Sequence, residues 1–182
     1  MIIWLASYPK SGNTWVKIFL NSILFSKDQI DINKNNIRLF PLRSDFNTLN
    51  VNIDNIKEFA DNCLNAQNLI NIDNKIKFFK THNALWKLGE KTFTNEDNTL
   101  GVLHIVRDPR NVITSLKNHF NRKNYEEALI FLKDQKKSIG SRKTKDDGDL
   151  PTIVSSWSNH YNSWKKFKKN YLLIKYENLL KN

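Results

Sequence analysis

SYPKSGNTW, residues 7–15, follows a short apolar run at residues 2–6 and leads into a helical pattern. A strand that turns sharply into a helix aims several backbone N–H groups and the positive end of the helix dipole at one point. Gly12 permits positive φ and close approach of a ligand, Pro9 stiffens the turn, and Lys10 adds a mobile positive charge. Ser11, Asn13 and Thr14 add side-chain donors. The stretch reads as an anion cradle, with an ordinary strand-turn-helix capped by Ser or Asn as the competing reading.

Working outward, residues 14–25 place Trp15, Ile18, Phe19, Ser22, Ile23 and Phe25 at spacings that suit a helix against a sheet. Residues 26–73 are rich in Asn and Asp, with helical periodicity only over 53–69, and read as a covering insertion. Short apolar strands are predicted at 76–80, 100–106 and 171–176. Pro109 suits the first turn of a helix through 111–120, a second helix is predicted over 125–136, and a third over 151–169. In this last segment Trp157, Tyr161 and Trp164 share one face, which reads as core, with Trp157 as a possible wall of a pocket. The charged stretch 137–149 reads as an exposed loop, with an acceptor lid as the alternative. Strands alternating with helices imply an α/β fold, a three-layer αβα arrangement with a central parallel sheet. Ligands of such folds lie beyond the carboxyl ends of the strands.

The 182 residues suit one domain. With 29 basic and 18 acidic residues the formal charge is +11, which points to anionic partners without choosing among them. Part of that basicity reflects a general bias to Asn, Ile and Lys. Cys63 is the single cysteine, so an intrachain disulfide and a cysteine-based metal site are both excluded. The apolar start is broken by Pro9 and Lys10, and no later apolar run is long enough to span a bilayer, so the chain reads as a cytoplasmic protein.

Lys10, His82 and Arg107 each follow a predicted strand and converge at one edge of the sheet. Ser115 lies about two helical turns beyond Arg107, so a guanidinium and a hydroxyl can grip one phosphate; an ordinary Arg107–Asp108 ion pair is the alternative. His104, inside an apolar strand, reads as a core histidine with a hydrogen bond, and His119 and His160 are assigned no chemistry.

These residues also carry a family resemblance. SYPKSGNTW resembles the 5′-phosphosulfate loop of sulfotransferases that use 3′-phosphoadenosine 5′-phosphosulfate (PAPS), and VRDPRNVITS, residues 106–115, resembles their 3′-phosphate segment. FFKTHNAL, residues 78–85, resembles the strand with the catalytic histidine. SSWSNHYNSWKKF and LLIKYENL, residues 155–167 and 172–179, resemble the later tryptophan helix and strand.

The resemblance implies a P-loop-like cradle in which Lys10 contacts the bridging oxygen or sulfuryl group. Ser11, Gly12, Asn13 and Thr14 would hold the 5′-phosphosulfate and Trp15 would stack on adenine. Arg107 and Ser115 would bind the 3′-phosphate, with Tyr176 beside the purine. It further implies His82 as general base with Lys80 positioning the reacting groups, a small-molecule or glycan acceptor, the product 3′-phosphoadenosine 5′-phosphate (PAP), and no metal, nucleic acid or membrane span. Relative to the family the chain is short at its C-terminal side, where a nucleotide-covering loop and a dimerisation segment are expected, so oligomeric state stays open. The other functional readings are a P-loop kinase or NTPase, and a non-catalytic nucleotide- or nucleic-acid-binding module. Against the kinase reading, Lys10 precedes Gly12, the reverse of the Walker order, and no Walker-type carboxylate is evident.

Overall fold

The computed structural model describes residues 1–25, 36–140 and 150–181. The first ten residues of the predicted insertion, and 141–149 of the predicted loop and its lid reading, lie outside the described residues. In chain order come β1 (Ile2–Ser7), α1 (Asn13–Phe25), β2 (Arg38–Leu39), a 3-10 turn (Arg43–Phe46), α2 (Ile56–Ile70) and β3 (Lys77–Thr81). They are followed by β4 (Lys87–Leu88), β5 (Lys91–Thr92), β6 (Thr99–Val106), α3 (Pro109–His119) and α4 (Tyr125–Lys133). The last elements are β7 (Ser138–Ile139), β8 (Thr152–Ile153), α5 (Trp157–Lys165), β9 (Tyr171–Lys175) and α6 (Tyr176–Leu179).

Five parallel strands form the main sheet in the order β2-β3-β1-β6-β9. β1 is central and apolar on both faces, as a strand covered by helices on two sides must be. One face buries Trp4 among Phe40, Phe79 and Phe93, with ring centroids 5.2 to 6.0 Å apart, under Phe59 and Cys63 of α2 and Trp164 of α5. Each such aromatic contributes about 1.5–3 kcal/mol by leaving water. The opposite face buries Leu5 and Ile105 against Val16 and Leu20 of α1 and Leu179 of α6. The layers are therefore helix, sheet and helix. α3 and α4 pack on each other through Val112, Leu116, Ala128 and Phe131, with Tyr8 at the end of β1 closing that cluster.

Register places the site. Ala6 pairs with Thr81 of β3 and with His104 of β6, so the three strands end at one level, and the chain leaves them at Ser7, His82 and Arg107. β1 sits between strands reached by connections running in opposite directions, the switch point at which open α/β sheets bind ligands.

Two expectations need correction. The helix expected over 151–169 is shorter: Thr152 and Ile153 pair antiparallel with β7, Ser155 has φ 61°, and the helix starts only at Trp157, after Ser156 accepts a hydrogen bond from Asn159 N. β-branched Thr152, Ile153 and Val154 favour extension, and the capping serine sets the true start. The insertion also contains β2, an edge strand of the main sheet too short to show periodicity.

Candidate active site

β1 hands the chain to α1 through a turn with two left-handed residues, Lys10 at φ 67° and Gly12 at φ 96°. For lysine that conformation costs about 1–2 kcal/mol, so tertiary contacts must hold it. One of them is visible: Arg107 Nη1 donates to the Lys10 carbonyl at 3.1 Å. Arg107 also lies over the Tyr176 ring at 4.7 Å, and that ring is seated against Gly12, where a Cβ would come within 2.2 Å of Tyr176 Cδ2. Glycine is thus required twice, by its φ and by the ring. Tyr176 backs the loop and stands outside the lining of the adjoining cleft.

That cleft, about 410 Å³, opens at the carboxyl ends of β1, β3 and β6. Lys10, Gly12, Asn13, Thr14, Trp15, Lys80, His82, Arg107 and Ser115 all line it. Residues far apart in sequence are brought together as the strand order requires. Three lining residues were not foreseen: His119, Phe120 and Ile139. His119 lies four residues after Ser115 on α3, so helical spacing alone was a usable signal. Trp157 lies outside this lining and stacks on Tyr161 at 5.7 Å, so it does not wall this cleft.

Two cradle residues face inward. Ser11 is fully buried and its hydroxyl has no partner among the described residues. Asn13 is also buried, and its Nδ2 donates to the Leu5 carbonyl at 2.9 Å and to Ser7 Oγ at 3.0 Å. Both of its side-chain hydrogens are thus used inside the protein, and the backbone N–H at the start of α1 is the donor it has left for a ligand. Trp15 is 45% exposed and stacks on Phe19 with centroids 5.6 Å apart.

His82 Nδ1 lies 2.8 Å from the Ser7 carbonyl and 3.2 Å from Ser7 Oγ. A carbonyl only accepts, so this contact assigns the proton to Nδ1 and leaves a lone pair on Nε2. Burial and then the nearby Lys80 push the imidazole down, the Ser7 hydrogen bond opposes them, and Lys10 adds to the lowering. The net result is about 4, a neutral ring near pH 7. Behind it, buried His160 reaches the backbone of His82 and Asn83, a tertiary approach that no sequence spacing signals. His104 bonds Tyr171 Oη at 2.7 Å, as expected of a core histidine. Asp108 pairs with Arg110 at 2.5 Å and caps α3, which leaves Arg107 out of the simple ion pair. Arg110 holds the Asp108 carboxyl down at about 2.

A family model described as the sulfotransferase domain matches residues 2–182. The chain belongs to the sulfotransferase domain family. Two solved structures of retinol dehydratase resemble this sulfotransferase domain at 19% identity, over 100% of this chain. One, in complex with retinol and PAP, superposes with a TM-score of 0.53 over 56% of its own chain. The other, in complex with androsterone and the inactive cofactor PAP, gives 0.54 over 55%. At that identity the likeness is one of fold, and the chain spans a little over half the length of these relatives. No curated protein matches the sequence. Among the described residues no group of three or more His, Cys, Asp or Glu side chains can hold a metal, and no helix is long and apolar enough to cross a membrane.

Proposed function

We propose that this chain transfers the sulfuryl group of PAPS to a hydroxyl or amine of a small-molecule or glycan acceptor. The observation that carries the reading is the meeting, in one cleft, of an anion-directed helix N-terminus with Lys10, Arg107, Ser115 and a histidine whose Nε2 is free of a proton. The residues fit a doubly phosphorylated nucleotide. Among the described residues the cleft lining holds three cationic side chains and no carboxylate, and Arg107 Nε is without a hydrogen-bond partner.

Bound PAPS supplies a sulfuryl group on a bisphosphate leaving group. The rest is the work of this chain's residues. Lys10 and the first backbone N–H groups of α1 stabilise the charge that grows on the leaving oxygen, with the Thr14 hydroxyl beside them. Arg107 and Ser115 hold the 3′-phosphate, and the exposed Trp15 ring offers a stacking surface for adenine. His82 takes the acceptor proton at Nε2, and Lys80 orients the acceptor or the sulfuryl oxygens. Because the transition state of such a transfer is charge-dispersed, fixed donors and alignment do most of the catalysis. His119, Phe120 and Ile139 present an aromatic and apolar wall. Retinol and androsterone, the ligands of the two solved relatives, are hydroxyl compounds with apolar bodies, which supports an acceptor of that kind.

Calorimetric titration with PAP tests the donor site: tight binding that weakens markedly when the 3′-phosphate is removed is expected. Incubation with radiolabelled PAPS and a panel of phenols, alcohols, amines and glycans, with chelator present, is expected to yield a labelled product. PAP binding that ignores the 3′-phosphate, or intact PAP binding with no transfer to any acceptor, counts against the reading.

A further inference from the structure

Ser7, Asn13 and His82 form one connected set of polar groups. Ser7, the last residue of β1, is fully buried, and Asn13, the first of α1, is nearly so. Asn13 Nδ2 clamps the strand end by bonding the Leu5 carbonyl at 2.9 Å and Ser7 Oγ at 3.0 Å. Ser7 in turn offers two acceptors to one N–H, its carbonyl at 2.8 Å and its hydroxyl oxygen at 3.2 Å from His82 Nδ1. The other orientation of the Asn13 amide would set its oxygen against the Leu5 carbonyl, which only accepts, so the amide nitrogen faces the strand end.

We propose that Asn13 and Ser7 are positioning residues for His82, a neutral counterpart of the carboxylate that orients a catalytic histidine in hydrolase triads. This rests on the reading of His82 as the base. Held by Ser7, the ring keeps its proton on Nδ1 and its lone pair on Nε2. When Nε2 takes a proton from the acceptor, the Nδ1–H bond becomes charge-assisted and both Ser7 oxygens stabilise the imidazolium. No proton passes to Ser7. Asn13 also begins the helix whose N-terminus forms the cradle, so one side chain sets the position of the base relative to the anion site.

Ser7→Ala removes one of the two acceptors and Ser7→Thr restores it. Asn13→Ala frees the serine. Ser7→Ala is expected to lower kcat about tenfold with PAP affinity by calorimetry unchanged, and Asn13→Ala to lower kcat by a similar factor, the one an ordinary hydrogen bond carries. Ser7→Thr should recover most of that loss, and the double Ala variant should be little worse than either single one, because the two act in series. Nitrogen-15 NMR of the histidine rings in the full chain needs no turnover. It is expected to show His82 as the Nδ1–H tautomer, with a growing Nε2–H population in both Ala variants. The electrostatic surroundings, Lys80, Lys10 and His160, are the same in all variants. If no acceptor is ever sulfated the NMR arm still decides. An unchanged tautomer population in both Ala variants, or losses that track thermal stability alone and are not recovered by Ser7→Thr, overturns the proposal.

Discussion

In the proposed reaction His82 is the base, and its environment sets what a substitution does. Its lone pair on Nε2 exists because Nδ1 is committed to Ser7. His82→Ala is expected to lower kcat roughly a hundred- to ten-thousandfold, the usual range for removal of a general base, with PAP affinity nearly unchanged. Sulfate-transfer kinetics beside a PAP titration check both halves. Gly12 is the other exacting position. Gly12→Ala places a Cβ 2.2 Å from the Tyr176 ring and strains a φ of 96°, so Tyr176 must move and Arg107, stacked on it, must follow. The expected result is a loss of about 2 kcal/mol or more in stability, read from urea denaturation, together with weaker PAP binding.

At the scale of elements, α5 is held to the active-site connection rather than to the ligand. Trp164 Nε1 donates to the Asn83 carbonyl at 2.8 Å, and Leu85 N donates to Ser163 Oγ at 2.9 Å. Asn83 Oδ1 accepts from Ile153 N, which ties the same connection to β8. A nine-residue helix has little stability of its own and depends on its cap and its packing. Ser156→Ala is expected to cost about 1 kcal/mol by denaturant unfolding, the usual worth of a serine cap. PAP affinity should stay close to that of the unaltered chain, since α5 lines no part of the cradle. The element boundaries were legible at Pro109 and Tyr125, behind the Asn124 cap, but not at Ser156, whose cap starts the helix expected from 151. They were not legible at β2, β7 and β8, two-residue strands whose existence depends on a partner far along the chain.

For the whole molecule, pH acts through three buried or partly buried histidines. Burial pushes His104 down to about 4, His82 lies at about 4, and burial and neighbouring histidines hold His160 well below the ordinary value. In the unfolded chain each titrates near 6.5. The folded state therefore binds fewer protons than the unfolded state between about pH 4 and 6.5, and its stability rises with pH through that window. The contribution is complete above about pH 6.5 and is lost as pH falls toward 4. For His104 alone the loss is roughly 3 kcal/mol. Urea midpoints at pH 7.5 and pH 5 are expected to show a clear decrease at the lower value. Equal midpoints would mean that these rings are protonated freely in the fold.

The order of the longer strands and helices, the anion-directed turn and the set Lys10, His82, Arg107 and Ser115 were determined by local chemistry: apolar runs, a glycine-bearing turn, a proline at a helix start and motif likeness. These signals need no distant partner. Only the tertiary structure decided that Asn13 turns inward to Ser7, that Tyr176 backs Gly12, that His160 stands behind His82, and that Phe120 and Ile139 line the cleft. Side-chain direction and partnership depend on strand register and on which layers meet, and those are properties of contacts between residues tens of positions apart. The same amide that reads as a ligand donor in SYPKSGNTW becomes an internal clamp once β1 and α1 are packed.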